Sequence, residues 1–112
     1  MANTFKNAYL DVTSSAQTVY TAPTSSGNVG IVLTIRITNV DGATDDTISA
    51  EVLDQGGSSR SYIAYTMTVP ADSSIELAGT SKIVLEAGDY IQLTGGNSSG
   101  DLEAFFSILE IT

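Results

Sequence analysis

The chain has 112 residues, a formal net charge of −9, four basic side chains and no His, Cys or Trp. Without Cys it has neither disulfides nor thiolate metal sites, and without His it lacks the usual base for nucleophilic catalysis. Its acidic charge disfavours nucleic acid and anionic membranes as partners, because both carry negative charge themselves. Composition therefore removes most enzyme chemistry from consideration and favours a small, acidic, soluble protein.

The length predicts a single domain, residues 1–112, because domains of about 100–150 residues are the commonest. The β-branched residues Thr, Val and Ile number 14, 8 and 10, which favours extended structure. The first residues, Met1–Lys6, lack a basic region followed by an apolar run, and no apolar stretch is long enough to span a bilayer. We therefore expect a soluble chain made in the cytoplasm.

Nine segments, taken in chain order, have the length and residue types of β-strands. They are Phe5–Val12, Ala16–Ala22, Val29–Thr38, Thr47–Leu53, Ser61–Val69, Ser74–Leu77, Lys82–Leu85, Tyr90–Thr94 and Leu102–Ile111. Turn-forming pairs such as Asp41-Gly42 and Gly88-Asp89 separate them, and the latter resembles turns of jelly-roll sandwiches. The pattern predicts an all-β, single-domain antiparallel β-sandwich, jelly-roll-like, with eight or nine strands.

Alternation of apolar residues predicts which side chains share a face of each strand. In the third segment, the residues predicted to share one face are Val29, Ile31, Leu33, Ile35 and Ile37. The opposite face carries Gly30, Thr34, Arg36 and Thr38, with Val32 as its apolar exception. In the fifth segment, the residues predicted to lie on one side are Ile63, Tyr65, Met67 and Val69. These sets are the expected contributions of the two strands to the core.

The last segment differs from the others because it is apolar on both faces. One face carries Leu102, Ala104, Phe106 and Ile108, and the opposite face carries Phe105, Leu109 and Ile111. Only one face of a strand is internal in a two-layer sandwich. We therefore predict a subunit interface at Phe105, Leu109 and Ile111, with cover by another part of the chain, such as the N-terminal segment, as the alternative.

Few side-chain clusters suggest chemistry. The 13 carboxylates allow accidental acid pairs, but a glycosidase is disfavoured because no Trp platform exists to hold a sugar, although five Tyr could stack. The loop Asp41–Asp46 resembles a calcium loop in composition, yet EF-hand spacing is absent and a solvated turn is favoured. Asn97-Ser98-Ser99 is interpreted as a turn rather than a glycosylation site. We predict no catalytic residues, no cofactor and no metal.

Several motifs in fixed order resemble small structural proteins of tailed phages, common in marine and cyanobacterial phage genomes. They are Phe5-Lys6-Asn7-Ala8, Thr18–Pro23, Ile37–Asp41, Val69–Ser74, Leu85–Asp89 and Ser107–Ile111. The resemblance implies a non-enzymatic virion component of the capsid decoration, or cement, type. It implies a homo-oligomer, with a trimer favoured, on the capsid exterior and bound to the phage major capsid protein.

Within that interpretation, the N-terminal residues Phe5, Lys6 and Tyr9 are a candidate contact with the shell, because two aromatic residues flank a cation in an acidic chain. The alternative is that Phe5 and Tyr9 are core residues of the first strand. A tail or neck component, or an adhesin that binds another virion protein or a host glycan, is the alternative function. It is disfavoured because the sequence shows neither a fibre segment nor an aromatic sugar-binding patch.

Overall fold

A computed structural model describes residues 2–78, 81–97 and 100–112, and all its regular elements are β-strands. The strands are β1 (Asn3–Val12), β2 (Gln17–Thr21), β3 (Val29–Asn39), β4 (Asp46–Leu53), β5 (Arg60–Val69), β6 (Ser74–Glu76), β7 (Ile83–Glu86), β8 (Tyr90–Gly95) and β9 (Leu102–Ile111). Ser98 and Ser99 of the predicted turn lie outside the described residues. All nine predicted segments are strands, with ends within two residues of their predicted positions.

The strands form two antiparallel sheets. In sheet A the order is β1-β9-β3, and β6 and β7 both pair with the remaining edge of β3. In sheet B the order is β2-β8-β4-β5. This is the strand order of a jelly roll, with β6 and β7 together occupying the fourth position of sheet A. The predicted antiparallel, jelly-roll-like β-sandwich is confirmed.

The core lies between the two sheets and is built from alternate residues of their inner faces. Its largest fully buried side chains include Val12, Val32, Ile35, Ile37, Ile48, Val69, Leu85, Ile91, Leu93, Leu102, Phe106 and Ile108. Strand β9 crosses the middle of sheet A, and its burial alternates strictly along its length. The predicted inner set of Leu102, Ala104, Phe106 and Ile108 is confirmed.

A β-bulge corrects the prediction for β3. The register with β9 shifts between Val32 and Thr34, so that Leu33 is the extra residue. A bulge reverses the alternation of side chains beyond it. Ile35 and Ile37 are therefore buried as predicted, whereas Val29 and Ile31 turn to the outside and Val32 takes the core position instead.

Two irregularities likewise correct the prediction for β5, which is the edge strand of sheet B. Its register with β4 shifts twice, and Thr66 adopts a positive φ of 45°. Val69 is buried as predicted, but Tyr65 and Met67 are exposed and Ala64 is buried instead. The sequence carried no signal for these shifts, because the residues on both sides of each bulge are ordinary strand formers.

Candidate assembly surface

The surface of sheet A that faces away from the core carries large apolar side chains on its central strands β9 and β3 and on the flanking strands β1 and β7. We call it the outer face of sheet A. Cross-strand register places one residue from each of four neighbouring strands in a row: Phe5, Leu109, Ile31 and Val84. A second row, Ile111 and Val29, lies beside it, and Tyr9 and Phe105 form a third pair. The outer face therefore carries eight large apolar or aromatic side chains: six in two adjacent rows, and Tyr9 and Phe105 beyond an intervening polar row of Asn7, Ser107 and Thr34.

These side chains are incompletely buried. Phe5 is 75% exposed, Tyr9 72% and Val84 62%, whereas Phe105, Leu109, Ile111, Val29 and Ile31 are half-buried by their neighbours within the sheet. The Tyr9 and Phe105 rings contact each other at a centroid distance of 5.4 Å. Exposed groups of apolar side chains bordered by polar residues can mark interaction sites on soluble proteins.

Charged residues border the apolar centre at one end. Arg36 lies between Phe105 and Glu76 in the register, and its Nε is 3.9 Å from a carboxylate oxygen of Glu76. A shallow depression of about 390 Å³ opens there, lined in part by Tyr9, Arg36, Phe105, Asp11 and Glu103. An apolar centre with a polar margin is the usual anatomy of a protein–protein interface.

The residues predicted from the sequence converge on this face with one exception. Phe105, Leu109 and Ile111 lie on it as expected from the alternation of β9, and Phe5 and Tyr9 lie on it beside them. The alternative of Phe5 and Tyr9 as core residues is wrong, because both are mostly exposed. The N-terminal segment does not cover β9 either, since β1 extends the same sheet at its edge.

Lys6 is the exception, because its side chain turns to the opposite side of β1. Its Nζ lies 3.4 Å from Oε1 of Glu110, a buried carboxylate at the end of β9. The Tyr20 hydroxyl donates a 2.6 Å hydrogen bond to Oε2 of the same carboxylate. Burial first, and this hydrogen bond second, raise the pKa of the Tyr20 hydroxyl above its ordinary value.

Gly30 makes room for this buried group. A Cβ at Gly30 would lie 2.7 Å from the Tyr20 hydroxyl oxygen and 3.1 Å from its ring. Glycine is therefore required here for close approach of the Tyr20 ring rather than for backbone conformation. The group of Lys6, Glu110 and Tyr20 ties β1, β9 and β2 together and thus connects the two sheets.

In the acidic loop Asp41–Asp46, carboxylate oxygens accept hydrogen bonds from backbone N–H groups of the loop and of Ala71. Asp41 Oδ1 accepts from the backbone N–H groups of Ala43 and Thr44, and Asp45 Oδ1 accepts from the N–H of Ala71. Buried Asn39 supports the loop by donating to the carbonyls of Thr44 and Val69. Across residues 2–78, 81–97 and 100–112, no group of three carboxylates is placed to hold a metal ion.

Strand β5 presents an aromatic cluster that the sequence analysis missed. The Tyr62 and Tyr65 rings meet edge to face at 4.8 Å, and the Arg60 guanidinium lies 5.7 Å from the centre of the Tyr62 ring. Tyr62 is 44% exposed and Tyr65 68%. The sequence did not predict this exposed pair of rings, and the absence of an aromatic sugar-binding patch stays a prediction. Only the bulges of β5 bring the two residues together, which their spacing of three does not predict in a regular strand.

Comparison with known proteins identifies the fold but no family. No protein-family model matches the chain, and no curated protein matches it by sequence. A chain from Bacillus endospore appendages, described as a novel family of disulfide-linked pili, is similar over 99% of this chain and 87% of that chain, with a TM-score of 0.55 and 16% identity. Within the described part of the chain, no helix is long and apolar enough to cross a membrane.

A chain from the structure of the infectious bursal disease virus Gx strain is also similar, with a TM-score of 0.56 and 9% identity. The match covers 98% of this chain but 30% of the viral chain, so this protein spans less than a third of that relative's length. At these identities, both similarities are similarities of fold.

Proposed function

We propose that the chain is a non-enzymatic structural subunit that is held in a larger particle through the outer face of sheet A. The row of Phe5, Leu109, Ile31 and Val84 carries this proposal, because it leaves an apolar surface open to water in an otherwise acidic chain. Burying such side chains contributes roughly 1.5–3 kcal/mol each when they pass from exposed to fully buried. Assembly supplies the cover that the chain itself does not provide.

Within this class, we assign the chain to capsid decoration proteins that bind the exterior of a phage shell through its major capsid protein. Two features support the assignment: the fold shared with a pilus chain and a virus chain, and the order of motifs that resembles phage virion proteins. The disulfide linkage of the pili is not available to this chain, which has no Cys. The trimer stays a prediction of the resemblance.

The predicted subunit interface (Phe105, Leu109 and Ile111) and the predicted shell contact (Phe5 and Tyr9) lie on one continuous surface. One partner surface can therefore cover both sets at once. Lys6 takes no part in the proposed contact, because its charge is directed to Glu110. Arg36 replaces it as the cation beside the apolar centre, with 58% of its side chain exposed.

The experiment is a copy-number measurement combined with imaging of intact particles. A short tag inserted between Gly56 and Gly57, in the turn before β5, keeps the label away from the outer face of sheet A. We expect hundreds of copies per particle, distributed over the shell. A handful of copies confined to one vertex, or absence from particles, would contradict the decoration role.

The aromatic cluster of Tyr62, Tyr65 and Arg60 favours a second candidate, a tail, neck or adhesin component that binds a host glycan. Aromatic rings supply apolar surface for stacking, and Arg60 beside them, with 61% of its side chain exposed, supplies hydrogen-bond donors. A glycan array separates the two roles. Binding that Tyr62→Ala and Tyr65→Ala abolish, while Leu109→Ala leaves it unchanged, would favour the adhesin.

A further inference from the structure

The two sheets have four edges, formed by β1, by β6 and β7 together, by β2 and by β5. Three of these edges are poorly suited to pairing with another strand. Strand β2 has five residues with a register shift, and β6 and β7 have three and four residues. Strand β5 is interrupted by two register shifts and a positive φ. Short or bulged edges are how β-proteins prevent unwanted pairing.

Strand β1 is the contrasting edge. It pairs with β9 over ten consecutive residues, Asn3–Val12, without a register shift and without proline. Its other side pairs with no strand in the described part of the chain. A long, regular and open edge of this kind is a template for strand addition.

The register of β1 shows which backbone groups are open. The N–H of Ala2 donates to the carbonyl of Thr112, and the N–H of Thr112 donates to the carbonyl of Ala2. Hydrogen-bonded pairs alternate along an antiparallel ladder. The backbone N–H and C=O groups of the even-numbered residues of β1 therefore point to β9. The backbone groups of Asn3, Phe5, Asn7, Tyr9 and Asp11 therefore point to the open edge.

We propose that β1 pairs with β1 of a second copy of this chain, antiparallel, about a two-fold axis at Asn7. In this register Asn7 lies opposite Asn7 of the second copy, Phe5 opposite Tyr9, and Asn3 opposite Asp11. All the open backbone groups then find partners, and two aromatic cross-strand pairs form on the outer face. On the inner side, Lys6 lies opposite Ala8.

The neighbouring symmetric registers are worse. Moving the axis to residue 6 places Lys6 opposite Lys6 and leaves Asp11 unpaired. Moving it to residue 8 places Phe5 opposite Asp11 and leaves Asn3 unpaired. Like charges directly opposite each other destabilise a ladder, and aromatic pairs stabilise it. The sequence of β1 is therefore complementary to itself in the register centred on Asn7, as a two-fold contact requires.

The two-fold pairing also joins two outer faces of sheet A side by side. Phe5 of each copy meets Tyr9 of the other, so the apolar centres of the two copies become continuous. The pairing does not depend on the proposed role in a particle, because it concerns the isolated chain. Failure of the pairing would leave the decoration role standing, and the reverse also holds.

Sedimentation equilibrium of the isolated chain over a wide concentration range tests the proposal. We expect a mass approaching twice 11.6 kDa as concentration rises. Asn7→Pro removes an N–H that points to the open edge and is not used within the chain, so it should yield a folded monomer. The matched control Asn7→Ala keeps that N–H and should remain a dimer. A strict monomer would overturn the two-fold pairing, and so would a mass three times that of the chain, which is the mass that the trimer predicted from the resemblance requires.

Cross-linking tests the register and is independent of how Asn7→Pro folds. The chain has no Cys, so a single introduced Cys can form a disulfide only with another copy. Directly opposed residues of a hydrogen-bonded pair have Cα atoms about 5.5 Å apart, within disulfide range. Asn7→Cys should cross-link with itself, and Phe5→Cys should cross-link with Tyr9→Cys in preference to itself. The control Thr18→Cys, exposed on sheet B, should stay monomeric, and equal cross-linking of all variants would contradict the register.

Discussion

The two outer faces of the sandwich differ in character although both belong to four-position antiparallel sheets. The outer face of sheet B carries polar residues, Thr18, Gln92 and Glu51, in a cross-strand row that ends at Tyr62 of the edge strand. The outer face of sheet A carries Phe5, Leu109, Ile31 and Val84 in its row. An antiparallel sheet can leave a polar face in water. The polar row of sheet B therefore needs no cover, whereas the proposed function assigns the cover of the apolar rows of sheet A to a partner.

The sharpest version of this comparison lies within β9, where neighbouring residues face the core and the outside. Phe106 is fully buried, and Phe106→Ala should cost about 3–5 kcal/mol of unfolding free energy. Phe105→Ala should cost less than about 1 kcal/mol, because its ring is already partly in water. Urea unfolding of both variants checks this. Equal losses would mean that the outer face belongs to the fold.

The outer faces themselves are compared by placing one carboxylate on each. Leu109→Asp should reduce incorporation into particles about a hundredfold, because it removes buried apolar area and adds a charge that must be desolvated. Thr94→Asp, on the outer face of sheet B, should leave incorporation unchanged. Occupancy is measured by mass spectrometry of purified particles. Loss with Thr94→Asp alone would place the contact on sheet B.

Gly30 and Tyr20 are closely packed on the inner face, and a substitution there should have a smaller effect, on folding stability alone. Gly30→Ala should destabilise the fold by about 1–3 kcal/mol, because the new Cβ forces the Tyr20 ring away from Glu110. In the Tyr20→Phe background the closest clash is absent, and the penalty of the same substitution should shrink. A double-mutant cycle in thermal unfolding measures the coupling. Additive losses would show that the Tyr20 hydroxyl does not occupy this space.

The smallest effect concerns alkaline pH. Because the pKa of Tyr20 is raised in the folded chain, the unfolded chain loses this proton first as pH rises above about 10. Folded-state stability should therefore decline with rising pH in that range, and Tyr20→Phe should make the decline shallower. Unfolding curves at a series of pH values check this. An equal slope in both proteins would contradict the buried hydrogen bond.

Strict alternation made β9 predictable from sequence on both of its faces. The same reasoning failed for β3, because the bulge at Leu33 places Ile31 on the outer face. Strict alternation had predicted Ile31 in the core. Contacts between distant residues were also beyond sequence reasoning. Lys6 and Glu110 are 104 residues apart, so no local pattern predicts their ion pair, although alternation along β1 places Lys6 on the face opposite Phe5 and Tyr9. The fold was therefore predictable from period and turns, while the positions of Val29 and Ile31 on the outer face depended on a bulge that propensity does not encode.

Hydroxyl-radical footprinting tests the central claim most directly, with four exposed aromatic residues as internal probes. Phe5 and Tyr9 lie on the outer face of sheet A, and Tyr62 and Tyr65 lie on β5 of sheet B. All four should react in the isolated monomeric Asn7→Pro chain. In intact particles, we expect Phe5 and Tyr9 to be protected while Tyr62 and Tyr65 stay reactive. Protection of Tyr62 and Tyr65 with Phe5 and Tyr9 still reactive would contradict assembly through sheet A.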